Sequence, residues 1–332
     1  MKPLLAYKSL ISIGCAAVLA SAPLSSLASQ WHVGLDNDVV IGDDGDYSNG
    51  IAISWQATPQ HDFSNASWPF NWQSLLLFPQ QSNTSQWGAN LYQRMWTPIE
   101  IKHDFEQPFD RPYAGLLELE SFSGIYGDDF AQKNWFTVGV MGPASGAEAT
   151  QELVHKLTSS TAPLGWQYQI ETEMTFQFAY EADMLLLRQQ AFEDSQWELS
   201  GHSYTQLGNF RTESNLGLTL RWGDDLNQSF GQISSHAGHY GQYSVSAREG
   251  GSWTVFARAQ AGYRLNDLSI EGDLPYDSYI QMKHQQASAS TGVIWAFPGW
   301  SVSWSFDLYS KEYESDPQDW HGYGVISYSW LM

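Results

Sequence analysis

The 332-residue chain carries 15 Lys+Arg against 36 Asp+Glu, a formal charge of -21, and as many aromatic as charged residues at 15% each. That acidity excludes a nucleic-acid binder, which needs a basic footprint. With 42% hydrophobic residues, including 16 Trp, 17 Tyr and 16 Phe, the chain has too much apolar surface to stay disordered and enough for one large folded unit.

At the N-terminus, Lys2 and Lys8 precede the apolar run Leu10 to Ala20, and Ser26-Leu27-Ala28 supplies the small residues that a signal peptidase reads. Residues 1–28 are therefore expected to be a secretory signal peptide and residues 29–332 a single exported domain. The one cysteine, Cys15, lies inside the leader and lacks the Leu three positions earlier that marks a lipoprotein site, so the exported chain uses no disulfides.

No later segment approaches the ~18 uninterrupted apolar residues of a membrane-spanning helix. What recurs is period-two alternation, the signature of strands with one apolar face. In chain order it runs through Ile51, Ile53 and Trp55; Phe136, Val138 and Val140; Met174, Phe176, Phe178 and Tyr180; and Leu216, Leu218, Leu220 and Trp222. It continues through Trp253, Val255, Ala257, Ala259, Ala261 and Tyr263, then Val302, Trp304, Phe306 and Leu308, and ends with Ile326, Tyr328, Trp330 and Met332. The alternate positions are Ser, Thr, Gln, Gly and Arg, which suit a polar lumen, and Trp135, Trp222, Trp253, Tyr263, Trp300 and Trp330 sit near strand ends as an interfacial girdle would. The fold class expected is all-β, a transmembrane antiparallel β-barrel of about 12 strands, each needing only ~9–11 residues to span. Its last residue, Met332, replaces the aromatic usual in this class.

Pro59 to Ser85 and Gly223 to Ser244, rich in Ser, Asn, Gln, Gly and His, read as long surface loops. One stretch after Gly142-Pro143, Ala147 to Leu157, reads as a short helix with Gln151, Val154 and His155 on neighbouring faces.

Three places carry possible chemistry. Asp36-Asn37-Asp38 and Asp43-Asp44-Gly45-Asp46 flank the first turn, and strand pairing would gather them into hard oxygen ligands for calcium or simply a solvated acidic loop. His155 is either a base or an ordinary surface histidine. Arg111, in Asp110-Arg111-Pro112-Tyr113-Ala114-Gly115, would either grip a phosphate or pair with Asp110. No nucleophile elbow, zinc helix or P-loop is present.

Taken in order, Asn37-Asp38, Asp46-Tyr47-Ser48-Asn49-Gly50, Tyr92 with Trp96-Thr97-Pro98, Asp110 to Gly115, Gln151 and His155 with Pro163-Leu164-Gly165-Trp166 and Gln169, and Gly208-Asn209-Phe210-Arg211-Thr212 resemble the outer-membrane lipid A 3'-O-deacylases of the LpxR type. The resemblance spans most of the exported chain. It implies a twelve-stranded barrel in the bacterial outer membrane, calcium-dependent hydrolysis of an ester in lipid A, and an active site between the barrel wall and a short helix. Carried over residue by residue, it puts catalytic roles on His155, Asn37, Asp38 and Ser48. Asn37 and Asp38 either bind calcium or orient the imidazole, and Arg111 is a substrate contact. Ser48 stands where the family more often has Thr, and Thr158-Ser159-Ser160-Thr161 lacks an acidic residue found there in some members. A histidine's ordinary pKa near ~6.5 suits a general base for water. The partners expected are lipopolysaccharide and the membrane, with no nucleic acid and no second copy of the chain. Two other readings are a barrel phospholipase using Ser48 as nucleophile and a passive porin-like or structural barrel.

Overall fold

The computed structural model describes residues 29–37, 46–80, 84–239 and 249–332. The leader expected over residues 1–28, and Asp38, Asp43, Asp44 and Gly45 of the acidic turn, lie outside the described residues. Twelve antiparallel strands form a closed barrel: β1 (Ser29–Asn37), β2 (Asp46–Ala57), β3 (Thr84–Thr97), β4 (Ala114–Tyr126), β5 (Phe130–Met141), β6 (Glu173–Gln190), β7 (Ser195–Gly208), β8 (Arg211–Asp224), β9 (Ser252–Asp267), β10 (Gln285–Phe297), β11 (Trp300–Ser310) and β12 (Trp320–Leu331). Each strand pairs with its sequence neighbours, and β1 meets β12 from Gln30↔Leu331 to Asn37↔Gly324, which closes the sheet and leaves no edge.

Alternation along the strands puts polar side chains inside and apolar ones outside. His32, Gln56, Asn90, Glu181 and Arg258 are buried in the lumen, whereas Leu35, Ile53, Val138, Phe176, Leu216 and Ile326 are exposed on the outer wall. Burying one such apolar side chain is worth about 1.5–3 kcal/mol, so a belt of them facing water would be untenable and a lipid surround removes the cost. No described helix is long and apolar enough to cross a membrane.

Residues 58–80, with the four-residue helix α1 (Phe70–Gln73), lie against the outer wall. Gln73 donates to the carbonyls of Ser121 and Asn134, while Trp68, Leu75 and Phe78 are exposed on the far side. The second expected surface loop is a correction. Residues 225–239 fold into the lumen, where Phe230, Ile233, His236 and His239 are buried. A polar barrel interior accepts a Gly-, Ser- and His-rich segment that would otherwise seek water. Trp135 is corrected likewise: at 1% exposure it points inward in phase with Thr137 and belongs to no girdle.

The helix expected after Gly142-Pro143 is α2 (Ala147–Thr158), the longest of three helices among the described residues; α3 (Leu268–Glu271) is one turn. Ser29, the first described residue, meets Met332 at one rim, where Ser29 N donates to Met332 O at 3.1 Å, and α2 lies at the other.

Candidate functional site

Alternation also decides what the rim opposite the chain ends presents outward. Asp36 points inward, where the Tyr47 and Tyr92 hydroxyls donate to its two carboxylate oxygens at 2.8 and 2.7 Å. Asn37 therefore points outward, and its side-chain amide donates to Ser48 O at 3.1 Å. A bulge between Tyr47 and Asn49 leaves Ser48 without a partner residue on β3, re-aiming its hydroxyl onto that of Thr97 at 2.6 Å.

The opposite wall of the cleft is α2, which starts at Gly146 in the left-handed region (φ 73°) and packs on the outside of β4. Its close approach depends on Gly115, since a Cβ there would come within 2.4 Å of Ala147 Cβ. Met95, Ile101, Tyr113, Ala147 and Trp166 fill the contact. The Trp166 indole donates to Gln151 Oε1 at 2.8 Å, fixing the helix from the side. Burial raises the Tyr113 hydroxyl above its ordinary pKa, and it stays a donor, to Ile101 O at 3.0 Å.

His155 sits in the last turn of α2. The chain then turns through Ser159 (φ 59°) so that Thr161 O lies 2.5 Å from His155 Nδ1. A carbonyl only accepts, so Nδ1 carries the proton and Nε2 carries the lone pair of the neutral ring. Between the walls lies a cavity of about 300 Å³ lined by Asn37, Ser48, Asn49, Thr97, Gln151 and His155, among others. The structure thus brings together Asn37, Ser48 and His155, while Asp38, the next residue after Asn37, lies outside the described residues. Thr97 and Asn49 are cleft residues that sequence reasoning left unassigned. Thr97 ends β3 before a proline and Asn49 follows the bulge, and the bulge itself leaves no local sequence signal.

Arg111 goes elsewhere. It is fully buried at the lumen side of the rim, where Nη1 donates to Glu312 Oε2 at 3.0 Å and its guanidinium lies 5.9 Å from the Trp96 ring. Its ion pair is with Glu312, and Asp110 instead accepts from the Arg111 backbone N–H at 2.8 Å and from Tyr313 OH at 2.8 Å. In this arrangement Arg111 ties loops together and does not line the cleft.

The family described as Outer membrane protein LpxR matches the chain over residues 5–332. Among solved structures, LpxR from Salmonella typhimurium is 15% identical with a TM-score of 0.76, covering 91% of this chain and 100% of that one. Two autotransporter barrels also match more distantly, with TM-scores of 0.44 for the β domain of Bordetella BrkA and 0.41 for the NalP translocator of Neisseria meningitidis. They are 10% and 13% identical and cover 91% and 96% of this chain, and 97% and 94% of their own. No curated protein sequence matches significantly. On the family match over nearly its whole length, joined to a closed twelve-stranded barrel, the chain belongs to the LpxR family of outer-membrane proteins.

Proposed function

We propose that this protein is a calcium-dependent hydrolase that removes the 3'-linked acyloxyacyl chain from lipid A by water attack on the ester carbonyl. The observation that carries the reading is His155, oriented through Nδ1 by Thr161 O beside an oxygen-rich cleft with Nε2 as its basic nitrogen. Nε2 accepts the proton of the attacking water, and the Thr161 carbonyl steadies the imidazolium that forms. Ser48 and Thr97 hold each other's hydroxyls and shape the polar floor. Because the Ser48 hydroxyl is paired with Thr97 and not with His155, the water route is favoured over a Ser48 acyl-enzyme.

The donors suit calcium. Asn49 Oδ1 is buried with no hydrogen-bond partner among the described residues, and Asn37, whose amide also carries a hard oxygen, lines the same cleft. Asn37 and Asn49, with Asp38 next in the chain, would hold the ion. When bound it supplies positive charge for the oxyanion that develops on the ester.

Barrel topology supports a lipid substrate. The rim of Ser29 and Met332 carries the tight turns 127–129, 191–194 and 298–299 together with the longer connections from β2 to β3 and from β8 to β9, and the end of β12 at this rim, on the face opposite the cleft, supports a cleft at the outer leaflet. Leu153 and Leu157 on α2 and Leu35 on β1 are exposed apolar side chains on the two elements that wall the cleft, a surface suited to acyl chains. A passive channel is disfavoured by the segment that occupies the lumen.

Mass spectrometry of lipid A from membranes of cells expressing the chain, incubated with calcium or chelator, tests this reading. Loss of one acyloxyacyl mass only with calcium is the expected result. Unchanged lipid A with a folded barrel in the outer membrane would contradict it.

A further inference from the structure

Within the lumen, Glu120 of β4 meets His236 and His239 of the infolded segment, and one ligand atom from each lies within 4.8 Å of the others. His236 Nε2 is 2.5 Å from Glu120 Oε2 and His239 Nε2 is 2.5 Å from Oε1, with all three residues buried. The surroundings resemble the outer shell of a metal centre. Tyr204 OH is 2.8 Å from His236 Nδ1, the Thr137 hydroxyl donates to Glu120 Oε2 at 3.1 Å, and the Trp135 ring stacks on His236 with centroids 4.4 Å apart.

One nitrogen is asked to do two things. The Trp135 indole N–H, which can only donate, aims at His239 Nε2 at 3.1 Å, so that nitrogen presents a lone pair. The same nitrogen faces a Glu120 carboxyl oxygen at 2.5 Å, and two lone pairs at that distance need either a proton or a metal cation between them. Lys133, the nearby buried lysine, is already engaged by Glu181 at 3.5 Å and Asp183 at 3.1 Å. A small cavity of about 60 Å³, bordered by Glu120, Thr137, Tyr204 and His236, opens beside the cluster and has room for a water.

We propose that Glu120, His236 and His239 form a divalent transition-metal site of the zinc class that staples residues 225–239 to the barrel wall. Two imidazoles and a carboxylate are a zinc-type donor set, and a water in the cavity completes four ligands. Ligand atoms around zinc sit roughly 3.3 Å apart for bonds of ~2.0–2.2 Å. The site is separate from the rim cleft and does not depend on its chemistry.

The test uses the full barrel purified in detergent, stripped with chelator and then titrated with zinc, with cobalt(II) as a spectroscopic stand-in. One zinc per chain, retained in His155→Ala and lost in the His236→Ala/His239→Ala double variant, is the expected result, with cobalt giving visible bands of a nitrogen- and oxygen-ligated ion. Thr137→Ala keeps the ligands and should weaken binding about tenfold. If the double variant loses the heat-modifiable gel shift of a folded barrel, Glu120→Gln, which keeps the side-chain shape, takes its place. No stoichiometric zinc in the native chain overturns the proposal and assigns the charge to a proton. Zinc lost only with His155→Ala also overturns it.

Discussion

The rim cleft and the lumen cluster both use histidine, and they use it in opposite surroundings. His155 stands half-buried on a helix, with one ring nitrogen anchored by a backbone carbonyl and oxygen donors across a cavity of about 300 Å³. His236 and His239 are enclosed against one carboxylate, with their Nε2 atoms spent on it. An imidazole serves as a base where water and substrate can reach it, and as a ligand or fastening where they cannot. The difference lies in what the barrel does with its two faces: the cleft is built on the outer wall, the cluster inside.

That contrast can be broken from either side. The largest effect is expected from Gly115→Val, whose Cβ would press on Ala147 and Ser145 and push α2 off the wall. Displacing a catalytic group by about 1 Å costs on the order of 10²-fold in rate, so ester release should fall by that much while zinc binding in the lumen is unchanged. Equal loss of both would show that the two regions are coupled. Arg111→Ala comes next. Glu312 keeps Arg264 at 2.6 Å, so what is lost is one buried charged hydrogen bond, and unfolding should become easier by about 1.5–3 kcal/mol, with KM for lipid A little altered. A raised KM without a stability loss would return Arg111 to the substrate. The smallest effect is expected from Trp135→Phe, which removes the N–H competing for His239 Nε2. Zinc affinity should hold or tighten by a few-fold, as read by competition with a chelator, and ester release should not change.

The two regions also differ in how far the chain's order of residues reveals them. Strand alternation was enough for a barrel, because a lipid-facing wall and a polar lumen impose period two on nearly every element. Asn37, Ser48 and His155 were named together only by the family resemblance, since position alone left His155 either a base or a surface histidine, and the barrel brings the three to one cleft. Thr97 and Asn49 were harder, since what brings them in is a bulge in β2 that no local pattern announces. The lumen cluster was not legible at all. Glu120 and His236 are 116 residues apart, and the segment carrying both histidines has the composition of a surface loop. In a soluble protein such a segment belongs in water, whereas in a barrel the polar place is inside. Trp135 misled for the same reason, its aromatic character suggesting a girdle while its phase with Thr137 turned it inward.

In the proposed mechanism His155 activates water and no serine is acylated. Purified native chain, Ser48→Ala and His155→Ala, assayed side by side for acyloxyacyl release from lipid A by mass spectrometry, put it to the test most directly. Ser48→Ala leaves the Thr97 hydroxyl in place and should keep activity within about tenfold, while His155→Ala should lose about 10²–10⁴-fold with the barrel still folded. Ser48→Ala as inactive as His155→Ala would mean a serine nucleophile, and an active His155→Ala would remove the base from the account.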